Sequence, residues 1–168
     1  MTPRFVLTTV LYPLVAASLG CGFSSSPASP SASASSGDGT HYTAELSFCV
    51  EEVNRLRASA GKSSLVRSDA LEEYAATAVQ ADALAGKPHT YALSTNFGNL
   101  TARAENEALF WPLSSLKSVR AVVEKSLAEM WQEGPGGEHH DIMVGNYRQI
   151  GCGVFVQGDQ VAVLEAFR

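Results

Sequence analysis

The sequence predicts an α+β domain, with amphipathic helices first and an antiparallel hairpin last. Three observations carry this. Apolar residues recur at spacings of three and four over 45–60, 69–86 and 115–131. After residue 149 the period changes to alternation, and Gly158-Asp159 stands between two such runs. Helical stretches followed by a hairpin read as helices covering a sheet.

The first predicted helix carries Leu46, Cys49, Val50, Val53, Leu56 and Ala60 on one face, with Gly61 as its stop. Asp69 followed by Glu72 resembles a capping box at the start of the second. That helix turns Leu71, Ala75, Ala78, Val79 and Leu84 inward and ends at Gly86 and Pro88. The third carries Leu116, Val119, Val122, Val123, Leu127 and Met130 and stops at Gly134-Pro135. Between the second and third, 89–112 reads as irregular, with a short helix or strand around Glu105. In the hairpin, Ile150, Cys152, Val154 and Val156 share one face, and 161–167 forms the partner strand.

The chain has 168 residues, a net charge of −5, and 12 Lys and Arg scattered along it. With no basic stripe to neutralise a run of phosphates, a nucleic-acid partner is not expected. The amino-terminal stretch reads as an export signal. Arg4 precedes a mostly apolar run over 5–19, then come Gly20 and Cys21. Leu19-Gly20-Cys21 resembles a bacterial lipoprotein processing site, which would leave Cys21 at the new terminus for lipidation. Ser18 departs from that pattern, and a plain signal cut within 16–26 is the alternative. Of the 19 residues in 22–40, 16 are Ser, Ala, Gly or Pro. Such a segment cannot offset its ordering entropy and acts as a tether with a reach of about 25 Å. The expected organisation is a signal peptide at 1–20, a lipidated Cys21 with its tether at 21–40, and a folded domain at 41–168. The membrane would be a partner through that anchor.

Several familiar sites are absent. There is no His-Glu-x-x-His and no Gly-x-Ser-x-Gly. Gly134-Pro-Gly-Gly137 lacks the Lys-Ser/Thr of a phosphate loop, and Gly151-Cys-Gly153 lacks a third glycine. What remains is a sparse set of loop residues: His89 after Lys87-Pro88, Glu105 in Arg103-Ala-Glu-Asn-Glu107, Glu133 after Met130-Trp-Gln, and His139. Two neutral imidazoles and a carboxylate suit a divalent metal such as zinc and leave a position for water. A second carboxylate could orient a ligand or take a proton. Spacing alone also allows these to be separate, solvated side chains.

The order of the segments resembles the CAP superfamily of cysteine-rich secretory, antigen 5 and pathogenesis-related class 1 proteins, particularly its bacterial secreted members. The matching pieces are Asn54-Arg-Leu-Arg57, Gly61, Leu65, the second helix from Leu71 to Ala78, His89, Ala104-Glu-Asn106 and Met130-Trp-Gln-Glu133. They continue with His139-His-Asp-Ile-Met143, Tyr147-Arg-Gln-Ile-Gly-Cys-Gly-Val154 and Ala166-Phe-Arg168. The resemblance implies an α-β-α sandwich with a central cleft lined by His89, Glu105, Glu133 and His139, which binds divalent metal in several members. Asn106 would be a structural partner beside the first Glu. The family often has Gly-His-Tyr where this chain has Glu138-His139-His140, so either histidine could face the cleft; position matching to Met143 favours His139.

Cys49 and Cys152 lie on apolar faces of the first helix and the hairpin. In an oxidising compartment they would form a disulfide; two buried free thiols are the alternative. Trp131 reads as core, Phe110-Trp111-Pro112 as a helix-end plug, and the Glu51-Glu52 and Glu72-Glu73 pairs as solvated helix faces. The functional expectation is an extracytoplasmic, tethered, non-enzymatic domain of the bacterial cell envelope, whose cleft takes a metal, a small molecule or a lipid. The alternatives are a peptidase-like, metal-dependent hydrolase with Glu105 or Glu133 as base, and a structural envelope protein with a vestigial cleft.

Overall fold

In a computed structural model, residues 42–168 are described. The expected signal peptide, Cys21 and tether lie outside these residues. The element order is α1 (Thr43–Ser59), β1 (Val66–Arg67), α2 (Asp69–Ala85), α3 (Thr90–Leu100), β2 (Ala104–Pro112), α4 (Leu113–Leu116), α5 (Val119–Gln132), α6 (Glu138–Met143), β3 (Gln149–Gln157) and β4 (Gln160–Phe167). None of the described helices is long and apolar enough to cross a membrane.

The periodic stretches form the elements their spacing predicts, with corrections at their ends. α1 buries Leu46, Cys49, Val50, Val53 and Leu56. α2 ends on Gly86 in the left-handed conformation, where glycine carries no steric penalty. The capping box at Asp69 does not form. Ser68 is the N-cap residue and makes no side-chain cap bond. The Glu72 carboxylate turns instead to Arg67, accepting from Nε at 2.6 Å and Nη2 at 3.0 Å. A guanidinium is a stronger donor than a neutral backbone amide.

The expected third helix is two helices. Lys117 takes a left-handed conformation after α4, and Ser118 starts α5 by accepting from Ala121 N at 3.1 Å. The stretch 89–112 is far more regular than expected, because α3 and the nine-residue β2 occupy it. Within α3, residues Asn96, Phe97, Gly98 and Asn99 wind left-handed. Phe110-Trp111-Pro112 closes a strand rather than a helix; Phe110 is exposed, and Trp111 packs on the core after a bulge in β2.

The sheet runs β1-β3-β4-β2, parallel only at β1–β3. β4 alternates between its two faces. Val161, Val163 and Phe167 join α1 and α5 in one apolar cluster, while Ala162, Leu164 and Ala166 join α2 in the other. The architecture is therefore an α-β-α sandwich with a C-terminal antiparallel hairpin. On the α2 side, β3 presents Gly151 and Gly153. A Cβ on Gly151 would lie 2.3 Å from the backbone of Leu71 and Glu72, and one on Gly153 would lie 2.5 Å from the backbone of Ala75. These glycines let the helix backbone rest directly on the strand.

Polar side chains of α1 fix the connections. Asn54 brackets Leu65, donating to its carbonyl at 3.0 Å and accepting from its N–H at 2.7 Å. The buried Arg57 donates to the carbonyls of Ser63, Met143 and Gly145, which holds the exit of α6.

Cys49 and Cys152 are bonded, with Cα atoms 6.4 Å apart across a sequence separation of 103. The bridge ties α1 to the sheet, and such a bond suits an oxidising, extracytoplasmic compartment. Without prior reduction, neither cysteine takes up an alkylating reagent in the intact protein, and both do after it. Replacing both by alanine lowers stability by up to about 4–5 kcal/mol in the chain-entropy account of so long a loop, read as a lower denaturation midpoint.

Candidate metal and ligand cleft

β2 is an edge strand, and its pleat sends successive side chains to opposite faces. Glu105 and Glu107 stand opposite Ala166 and Leu164 of β4, on the α2 side, and Asn106 stands opposite Glu165. All three β2 residues are buried. The turn from α2 into α3 brings His89 to them in a left-handed conformation. Asp82 Oδ1 helps set that turn by accepting from Tyr91 N at 2.7 Å.

His89 Nδ1 lies 2.9 Å from Glu105 Oε1, and the Tyr74 hydroxyl donates to Glu105 Oε2 at 2.6 Å. The backbone N–H of His89 donates to Glu107 Oε2 at 2.9 Å, and the buried Glu107 and Asp82 carboxyls share a side-chain hydrogen bond. Ligating atoms of His89, Glu105 and Glu107 all lie within 4.8 Å of one another. They stand beside a cavity of about 340 Å³ that His89 and Glu105 line together with Leu93, Phe97 and Ile142.

Glu133 follows α5 and folds back over Gly137, where a Cβ would lie 2.4 Å from its own. The glycine-rich loop thus makes room for this carboxylate. Glu133 accepts from the His139 backbone N–H at 3.0 Å and from its ring Nδ1 at 2.5 Å. Asn106 Nδ2 donates to the His139 carbonyl at 3.1 Å, fastening α6 to β2. His139 and Glu133 line a second cavity of about 140 Å³, whose wall also includes Glu107. His140 lies among neither set of lining residues; it is buried, with its ring 4.6 Å from that of Trp131.

The four residues read from the sequence therefore form two imidazole–carboxylate pairs. The tight three-residue group is His89, Glu105 and Glu107. The sequence does not single out Glu107, because 89–112 reads as irregular with either a short helix or a strand around Glu105, and only the strand puts Glu107 beside it. On a strand, residues two apart share a face, so Glu105-Asn106-Glu107 carries the signal once β2 is assigned.

In both pairs the carboxylate can only accept, so imidazole Nδ1 is the donor. That tautomer leaves the Nε2 lone pair available to a metal. The hydrogen bond to Glu105 raises the pKa of His89 against the opposing effect of burial. The bond from His139 lowers that of the exposed Glu133. Burial pushes Glu107 up to about 8, with the charges of Asp82 and Glu105 acting in the same direction. A metal at this group competes with protons, so its affinity rises with pH.

The family model described as the cysteine-rich secretory protein family, CAP, matches residues 50–165. The chain belongs to the CAP family. Its CAP domain carries all four of the cleft residues named from the sequence. No curated protein sequence matches the chain. Among solved structures, it is similar to a Borrelia burgdorferi outer surface protein, with TM-score 0.53 and 15% identity over 76% of this chain and 95% of that one. A cysteine-rich secretory protein of Staphylococcus aureus aligns with TM-score 0.48 and 13% identity over 74% of this chain. The chain spans only 38% of that staphylococcal protein. At these identities the likeness concerns the fold alone.

Behind the cleft, Glu165 is fully buried; its Oε2 accepts from Asn106 Nδ2 at 3.3 Å and its Oε1 has no partner. Burial raises its pKa from 4.5 to about 8. A carboxyl whose folded pKa is raised holds its proton in the native state after the unfolded chain has lost it. Stability therefore falls as pH rises between about 4.5 and 8. Glu165→Gln keeps an acceptor for Asn106 and cannot ionise. Its denaturation midpoint should match wild type near pH 4.5 and exceed it at pH 8, with a flatter pH profile between.

Proposed function

We propose that this CAP domain is a non-enzymatic binding module of the bacterial cell envelope, whose cleft takes a divalent metal such as zinc, or a small ligand held through it. The supporting observation is the meeting of His89, Glu105 and Glu107 within 4.8 Å beside an open cavity. Glu107, pushed up to about 8 beside the buried Asp82 with which it shares a hydrogen bond, would give up its proton to a cation there. When bound, such an ion supplies a positive centre for an oxygen or nitrogen donor of a ligand. His89 would hold it, Glu105 would orient the imidazole, and Glu107 would add charge on losing its proton. Glu133 and His139 form the other pair, lining the second cavity whose wall includes Glu107. Leu93, Phe97 and Ile142 offer apolar wall to a small-molecule or lipid ligand.

Hydrolysis is the second reading: it would need a carboxylate to take a proton from water, and turnover of peptide or ester substrates that chelator abolishes would favour it over binding. Anchoring through a lipidated Cys21, with 22–40 as tether, would place the domain at a membrane surface.

Calorimetric titration with zinc tests the cleft. His89→Ala and Glu107→Gln should each weaken uptake by about tenfold or more, and affinity should rise between pH 6 and 8. Equal affinity in wild type and both variants refutes this ligand set. Palmitate labelling that disappears in Cys21→Ser tests the anchor.

A further inference from the structure

Seven arginines lie among the described residues, and four have internal partners. Arg55 pairs with Glu52, Arg67 with Glu72, Arg57 donates to backbone carbonyls, and Arg120 stacks on the Phe48 ring at 3.6 Å. The other three, Arg103, Arg148 and Arg168, have no side-chain hydrogen bond or ion pair among the described residues. All three line one cleft of about 700 Å³, together with Val66, Asn146 and Gln149.

The sheet brings them there. Arg103 precedes β2, Arg148 precedes β3 and Arg168 follows β4, all at one end of three adjacent strands. Their backbones are fixed by hydrogen bonds from Arg103 N to Phe167 O at 2.8 Å, Arg148 N to Arg168 O at 2.7 Å and Arg168 N to Gln149 O at 3.1 Å. The side chains of Asn146 and Gln149 likewise have no hydrogen-bond partner among the described residues. Five residues with donor-bearing side chains thus line one concavity that has no carboxylate side chain in its lining. Glu105 and Glu138 line the neighbouring cavity, which Arg103 also borders.

No Asp or Glu side chain lines the cleft to offset its three arginines, and the Arg168 main-chain carboxyl oxygen beside them is already taken by the Arg148 and Gln149 N–H groups at 2.7 and 2.9 Å. A multiply charged oxyanion offsets them, and the planar guanidinium fork matches its paired oxygens. We infer that this cleft binds a phosphate group, carried either by a soluble phosphate ester or by an anionic lipid headgroup. The site is separate from the His/Glu group and does not depend on metal there.

The test uses the full chain carrying Cys21→Ser, so that no acyl chain contributes, with chelator present throughout. Titration with inorganic phosphate and with glycerol 3-phosphate should show saturable binding that weakens as salt rises. Each of Arg103→Gln, Arg148→Gln and Arg168→Gln should weaken it about tenfold. Arg55→Gln and His89→Ala should leave it unchanged. The three side chains make no internal bonds, so the triple variant should keep the wild-type denaturation midpoint. Co-sedimentation with phosphatidylcholine vesicles, with and without phosphatidic acid, distinguishes the sources. An excess on phosphatidic acid that the triple variant loses assigns the headgroup, and soluble binding without that excess assigns the free ester. Absence of binding to every phosphate probe, or equal binding by wild type and the triple variant, overturns the inference.

Discussion

An amide or carboxyl taken out of water without a partner costs on the order of 1–3 kcal/mol in proteins, and β2 buries Glu105, Asn106 and Glu107 in succession. Most of the surrounding architecture answers that requirement. Tyr74 reaches across from α2 to Glu105, the α2–α3 turn delivers His89 by ring and backbone, and Asn106 reaches α6. Because β2 is an edge strand, these partners arrive from both faces of the sheet. Satisfaction remains incomplete at Asn106 Oδ1 and, behind the cleft, at Glu165 Oε1.

The two histidines are held by the same device from unrelated segments. Each ring donates through Nδ1 to a glutamate, and each is steered by a second bond: His89 by its own N–H to Glu107, and His139 by its N–H to Glu133. A rigid imidazole with its outer nitrogen uncommitted is prepared for a cation before one arrives, so less ordering entropy is lost on binding. The glycine at 137 matters for the same reason, since Glu133 could not fold back over a side chain there.

Much of this could be read from the chain, and each failure has a physical cause. Helical periodicity located α1 and α2 to within a few residues, and alternation located β3 and β4, because each buries an apolar face that repeats at its own period. Around Glu105 the chain left helix and strand equally open, because the buried positions of β2 are glutamate and asparagine, which carry no hydrophobic signal. With that choice open, Glu107 has no assigned face to share with Glu105. The split between α4 and α5 was hidden for a different reason: Leu116 and Val119 keep helical spacing across Lys117, whose left-handed backbone is invisible to periodicity. The arginines at 103, 148 and 168 look scattered by sequence number, and only the pairing of β2, β3 and β4 makes them neighbours. The order of the segments carried the family, while the grouping of the ligands had to come from the fold.

The bare backbone contact beneath α2 has a consequence elsewhere along that helix. Gly151 and Gly153 set how deeply α2 sits on the sheet, and the same rigid helix carries Tyr74 and Asp82. One of these reaches Glu105, and the other holds the start of α3 beside His89. A single methyl group inserted at the middle of the sheet would lift the whole rod, and the imidazole at the rim would lose its alignment although nothing near it had changed. The seating of one helix is in effect the focusing screw of the cleft.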